Sequence, residues 1–206
     1  MKKLIIKSTF LFALFAGMLT SCVQNDDTAL PEIRVPFYAE EFEITPTTVL
    51  SLAGWTNFAE EGTVKWSART FDNDGYAQFN TFGSPDVSNI AWLISPKIDI
   101  SEHPTARFTF RSAQNFVSDD KNKLEVFVST DYDGTNVLAA TWEKIDAKVA
   151  TKATTGYVYV NGGSLDLAKY QEAGAINVAF RASGSGTNTA LDGLFQVDGL
   201  YVYTPK

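Results

Sequence analysis

Cysteine is almost missing from this chain. Cys22 is the only one in 206 residues, so no disulfide can form within the chain and stability must come from packing or a bound ion. Histidine is as scarce. His103 stands alone before Pro104 in the polar connection 101–105, so a histidine-based catalytic triad would have to be built on a loop tip. Cations are in deficit, with 17 Lys and Arg against 24 Asp and Glu for a formal charge of −7. No clustered basic face is visible, which argues against nucleic acid as the partner. Beyond the N-terminal segment, no apolar stretch approaches the length of a bilayer span.

That N-terminal segment is the most informative one present. Lys2, Lys3 and Lys7 precede a largely apolar run over 5–18, and Leu19-Thr20-Ser21 leads into Cys22. Small residues placed directly before the chain's one cysteine predict a bacterial lipoprotein signal peptide over 1–21, cleaved so that Cys22 is acylated. Two or more acyl chains, at about 0.8 kcal/mol per buried methylene, make an anchor that does not readily dissociate. The next residues, Val23-Gln24-Asn25-Asp26-Asp27, form a short acidic patch. It resembles the signal that sends Bacteroidetes lipoproteins to the outer face of the outer membrane, and it also reads as a solvated linker. The expected organisation is a lipidated tether over 22–34 and one domain over 35–206, with the membrane engaged through the lipid alone. Removing 21 of 206 residues leaves 185, enough for a substantial core. With three lysines and no acids lost, the formal charge falls from −7 to −10.

The domain reads as β throughout. Short runs rich in Val, Ile, Phe, Tyr, Trp and Thr alternate in period two between Gly, Asn, Asp and Pro. Strands are predicted over 35–43, 63–70, 76–81, 91–94, 106–111, 123–129, 141–145, 156–160, 176–182 and 195–203. Phe108 and Phe110 share a face, as do Leu124, Val126 and Val128, and Ile176, Val178 and Phe180. Ten such strands with no long helix predict an all-β sandwich of two packed antiparallel sheets. Asn73-Asp74-Gly75 and Asp133-Gly134 read as turns. The spaced acids and closing glutamate of an EF-hand loop are absent around Asp72.

Several runs occur in a familiar order: Ala91-Trp92-Leu93-Ile94-Ser95-Pro96-Lys97-Ile98-Asp99, Phe108-Thr109-Phe110, then the stretch from Leu124 through Ser129-Thr130-Asp131-Tyr132-Asp133-Gly134. Ala140-Thr141-Trp142, Ser164-Leu165-Asp166-Leu167 with Tyr170, Val178-Ala179-Phe180-Arg181 and Gln196-Val197-Asp198-Gly199-Leu200 follow. Together they cover 36–203 and resemble the choice-of-anchor J and cleaved-adhesin group of surface proteins. The resemblance implies a jelly-roll sandwich, similar to galactose-binding-like and MAM domains, that serves as an adhesive or accessory binding module, with calcium bound in several members. By resemblance, Glu41 and Asp198 match the group's acidic positions in the first and last strands. First and last strands are commonly neighbours in a jelly roll, so Glu40, Glu41 and Asp198 are candidates to seed a structural calcium site that loop carbonyls complete. Both acids also read as ordinary solvated carboxylates.

Enzyme chemistry is not expected. Acylation removes Cys22 as a nucleophile, and a jelly roll of this size resembles binding modules more than hydrolases. Carbohydrate binding is the leading expectation, because sugars stack their C–H faces on exposed rings and need fixed polar partners for their hydroxyls. Aromatics make up 13 per cent of the chain, and most must fill the core. Alternation places Trp66 and Trp92 inside and Trp142 toward water. Tyr157 and Tyr159 share a face opposite Val158 and Val160. Gln114 and Asn115, in the run from Ser112 to Phe116, set amides beside an aromatic, and the 184–188 segment is a second polar connection. Two functions therefore remain open: a surface module that binds a glycan, or an adhesive or assembly module that binds a protein through a sheet face or edge. An exposed aromatic cleft with convergent amides favours the first and a broad apolar patch the second.

Overall fold

The computed structural model describes residues 35–205; the predicted leader, Cys22 and the tether lie outside the described residues. Among the described residues thirteen strands form: β1 (Pro36–Glu40), β2 (Thr56–Glu61), β3 (Ser67–Phe71), β4 (Asp74–Asn80), β5 (Asn89–Ile94), β6 (Ile98–Asp99), β7 (Arg107–Asn115), β8 (Lys123–Ser129), β9 (Glu143–Ile145), β10 (Val160–Asn161), β11 (Leu165–Asp166), β12 (Ala175–Gly184) and β13 (Leu194–Tyr203). One sheet runs β10-β7-β13-β4-β3, with β1 added against β13 and β11 against β7; the other runs β2-β5-β12-β8-β9, with β6 against β12. The domain is a jelly-roll β-sandwich with every strand pairing antiparallel.

The alternation read from the sequence builds this core. Phe108 and Phe110 of β7 and Phe195 and Val197 of β13 face Val178 and Phe180 of β12 and Leu124 and Val126 of β8, all buried in one cluster. Phe110 meets Phe180 edge to face across the sheets at 5.1 Å between ring centroids, a favoured aromatic geometry. Trp66 is fully buried, as expected. Trp92 is also buried, but on the far side of its sheet, in a satellite cluster with Ile94, Tyr132, Val137 and Ala179.

Some boundaries differ from the sequence expectation for identifiable reasons. The β3–β4 turn sits one residue earlier than predicted, at Asp72 and Asn73, which have φ of 52° and 64°. Asn and Asp tolerate such angles. Gly75 belongs to β4 instead, and no side chain fits there, because a Cβ would come within 2.3 Å of the Phe42 carbonyl oxygen. The predicted strand over 156–160 is mostly loop, and only Val160 pairs. β2, β6 and β11 were not expected: two are dipeptides, and Thr56–Glu61 carries acids at its end rather than a clean alternation.

A bulge in β13 decides which side chains face outward. Asp198 opposes Arg111 and Tyr201 opposes Thr109, so three steps on β13 match two on β7. Gly199 supplies the extra residue at φ 61°, a left-handed position that glycine takes without steric cost. Strict alternation set Tyr201 opposite Asp198. The bulge reverses that parity, sends Leu200 and Val202 into the core and puts Tyr201 on the face of Asp198.

Candidate ligand-binding groove

The outward face of the β3-β4-β13-β7 sheet is overlain in part by the loop before β10, whose Tyr159 ring packs on Arg111 of β7, and Gln78, Gln196 and Asp198 beneath are buried. Residues that oppose one another across it fix its composition: Arg69 with Tyr76 and Ser67 with Gln78, Gln196 with Gln78, and Asp198 with Arg111. Two adjoining clefts lie on this face. The first, about 420 Å³, has Asp74, Tyr76, Gln78 and Gln196 below and Phe71, Tyr157 and Tyr159 at its sides. The second, about 790 Å³, shares Gln78 and Tyr157 with it and adds Asn80, Phe82, Phe116 and Leu194.

Four rings rim these clefts in open solvent: Phe71 is 78% exposed, Phe82 75%, Phe116 71% and Tyr157 55%. An apolar ring left in water forgoes roughly 1.5–3 kcal/mol of burial, so four on one rim call for an explanation beyond folding. Backbone geometry adds to this. Phe116 and Tyr157 hold φ of 63° and 61°, a region that costs an L-residue about 1–2 kcal/mol and that persists where surrounding structure imposes it.

Gln114 imposes it here. Its buried side chain accepts a hydrogen bond from the Val117 N–H at 3.1 Å and donates to the Thr154 carbonyl at 2.5 Å. Its own carbonyl accepts the Tyr157 N–H at 2.7 Å. One residue thus ties the turn that carries Phe116 to the loop that carries Tyr157.

The floor is polar. Gln196 Nε2 donates to Gln78 Oε1 at 3.3 Å, leaving Gln78 Nε2 as a donor and Gln196 Oε1 as an acceptor. Beside them Arg111 is shared by two acids, its Nε donating to Asp198 Oδ2 at 2.7 Å and its Nη2 to Asp74 Oδ2 at 2.6 Å. The guanidinium lies 4.7 Å from the centre of the Tyr159 ring, within cation–π range. Asp198 is 1% exposed, and burial pushes its carboxyl up to about 6 against the pull of Arg111. Burial, then the Asp198 charge, holds the Tyr159 hydroxyl above its ordinary value.

Of the predicted ligand contacts, Tyr157 and Tyr159 line the first cleft. Gln114 is a buried positioning residue rather than a contact. Asn115 is half-buried beside Gly156, where a Cβ would come within 2.3 Å of its Oδ1, and it does not line the clefts. Trp142 does not face water as expected. It is half-buried against Trp92 and Tyr132, 5.2 and 5.5 Å between centroids, with Nε1 donating to the Val137 carbonyl at 2.8 Å. It precedes β9 instead of lying in it, so the strand alternation did not apply. Phe71 and Phe82 were missed; each is a large ring beside a turn with no alternation to bury it.

The calcium candidates are held by separate partners. Glu41 Oε1 accepts the Tyr201 hydroxyl at 2.8 Å. Asp198 gives one oxygen to Arg111 and the other to the Gly199 N–H at 2.7 Å. A guanidinium on the carboxylate stands where a cation would bind, so this pair, as arranged, does not fit a shared calcium ion. Among the described residues no group of three or more His, Cys, Asp or Glu side chains converges. His103 stacks on Phe37 at 3.7 Å and contacts Thr204 Oγ1 at 3.0 Å, and it is not among the cleft residues.

Comparison with solved structures finds similar sandwiches. Two cleaved adhesin domains of Lys-gingipain from Porphyromonas gingivalis are 19% and 14% identical, each over 82% of this chain and 98% and 100% of theirs, with TM-scores of 0.49. The CBM22-1 xylan-binding domain of Xyn10C from Paenibacillus barcinonensis is 12% identical over 86% of this chain and 99% of that one, with a TM-score of 0.46. No protein-family model matches the chain, and neither does any curated protein.

Proposed function

We propose that this protein is a non-catalytic glycan-binding module, held at the exterior of the outer membrane by acyl chains on Cys22. The observation that carries this reading is the pairing of four solvent-exposed rings with an amide floor on one sheet face. Rings provide stacking platforms for the C–H faces of pyranoses. Gln78, Gln196 and Asn80 offer donors and acceptors between them, and a pyranose ring needs both at once.

The same composition weighs against a protein interface. The face is a groove with a polar, charged floor rather than a broad apolar patch, and the half-exposed Asp74 and Arg111 lie in the part that a protein interface would have to desolvate. The choice-of-anchor J resemblance accommodates either ligand. Affinity electrophoresis of residues 34–206, which contain both sheets and the core, through gels cast with soluble polysaccharides tests the reading. Retardation by at least one polysaccharide, abolished by Tyr157→Ala, is expected. Free migration in every gel, together with capture of an outer-membrane protein by the same face, would replace the glycan with a protein partner.

A further inference from the structure

A third cleft lies farther along β13 and shares no lining residue with the first two. Pro36, Thr109, Tyr201 and Tyr203 line a smaller cleft of about 220 Å³, and it lies on the same outward side of the same strand. The Gly199 bulge produces this alignment: without the parity change at Asp198 to Tyr201, Tyr201 would point into the core. Along β13 the order is then Leu194 in the largest cleft, Gln196 in the next, Asp198 bound to Arg111, and Tyr201 and Tyr203 in the last. At about 3.3 Å per residue, Leu194 to Tyr203 covers on the order of 30 Å, far longer than one sugar ring. None of the three is an enclosed cavity.

Charge narrows the ligand further. Arg111, the cation at the middle of this line, is already shared between Asp198 and Asp74, so one positive charge meets two negative ones. In the largest cleft Arg69 gives its Nη1 to the Thr47 and Ala68 carbonyls and shares the lining with one acid, Asp192. Along the three clefts two cations, Arg69 and Arg111, meet three acids, Asp74, Asp192 and Asp198, so the groove carries no net positive charge to draw a carboxylate or sulfate, and the whole chain is acidic.

We propose that the groove binds the interior of an extended, uncharged polysaccharide, laid along β13 across three successive clefts. This rests on the glycan reading above and adds length, mode and charge class to it. Asp74 lines the middle of the path with Oδ2 given to Arg111, which leaves its other oxygen to accept sugar hydroxyls.

Titration calorimetry with ladders of neutral gluco-, xylo- and manno-oligosaccharides, from disaccharide to octasaccharide, and with polygalacturonate, tests it. Affinity for the ladder that binds should rise by more than about tenfold between trisaccharide and hexasaccharide, and polygalacturonate should not bind. Tyr201→Ala and Thr109→Trp, which empty and fill the third cleft, should each weaken the longest oligosaccharides and leave the short ones unchanged, whereas Tyr157→Ala should weaken all. A disaccharide that binds as tightly as an octasaccharide, or preference for polygalacturonate, would overturn the extended neutral chain while leaving glycan binding intact. Silence toward every ladder and the polyanion would overturn both readings.

Discussion

Arg111 and Asp198 cross the centre of the groove as an asymmetric pair: the acid is buried on β13 and the guanidinium, on β7, reaches out of the floor to take Asp74 as well. Removing the cation leaves Asp198 buried and uncompensated, a change that costs about 3 kcal/mol or more. Removing the half-exposed Asp74 charge costs no more than about 1 kcal/mol. Urea denaturation of Arg111→Met and Asp74→Asn at a common m-value should show that order, and equal midpoints would contradict it.

Stability should respond to acid in two phases. Asp198 titrates near 6 when folded and near 4 when unfolded, so the penalty for its charge is full above about pH 6 and is relieved as the pH falls toward 4. Asp133 is the opposite case. The Asn136 N–H and side-chain amide, then Thr135, hold its carboxyl below its usual value, so its contribution is present above about pH 4 and lost below. Melting temperature should therefore climb from about pH 6 to pH 4 and then fall. Asp198→Asn should flatten the climb, and a climb unchanged in that variant would show that another group causes it.

The rim aromatics should separate binding from folding. Phe71→Ala and Phe82→Ala alter exposed rings and should change stability by no more than about 0.5 kcal/mol. Phe116→Gly and Tyr157→Gly release left-handed φ angles, so each should be neutral or stabilising by up to about 1 kcal/mol. All four should lose polysaccharide binding. Loss of binding accompanied by a large drop in melting temperature would instead make these rings structural.

Gly199→Ala should be the costly glycine substitution in β13. At φ 61°, with a Cβ placed 3.1 Å from Tyr201 Cε2, it should cost about 1–2 kcal/mol. It should also weaken long oligosaccharides, because the bulge aims Tyr201. Unchanged stability would mean that the bulge relaxes without cost.

Glu41 and Asp198, each satisfied by protein partners, should confer no calcium response. Melting curves in calcium and in chelator should coincide. A rise with calcium would place the ion on other oxygens or on a rearranged pair.

Much of the sandwich was legible because its central strands obey period two. The expected strand 123–129 coincides with β8, and Phe108, Val178 and Phe180 took their places in the core. The groove was only half legible. Tyr157 and Tyr159 could be singled out as two rings sharing a face, although Tyr157 lies in a left-handed loop rather than in a strand. Gln114 was recognisable as an amide beside an aromatic, but not as the buried tie between two loops, which depends on a contact with Thr154 forty residues away. Asp198 and Tyr201 share a face only because Gly199 breaks the alternation. The signal was present in Leu200 and Val202, two apolar residues on what strict alternation makes the wrong side.

Glycan binding by this face is tested most simply on a glycan array probed with residues 34–206 and with the Phe116→Ala, Tyr157→Ala double variant. The native protein should bind neutral, extended glycans, and the double variant should lose that binding with the fold retained. Identical array profiles for the two proteins, or no binding by the native one, would contradict a glycan site on this face.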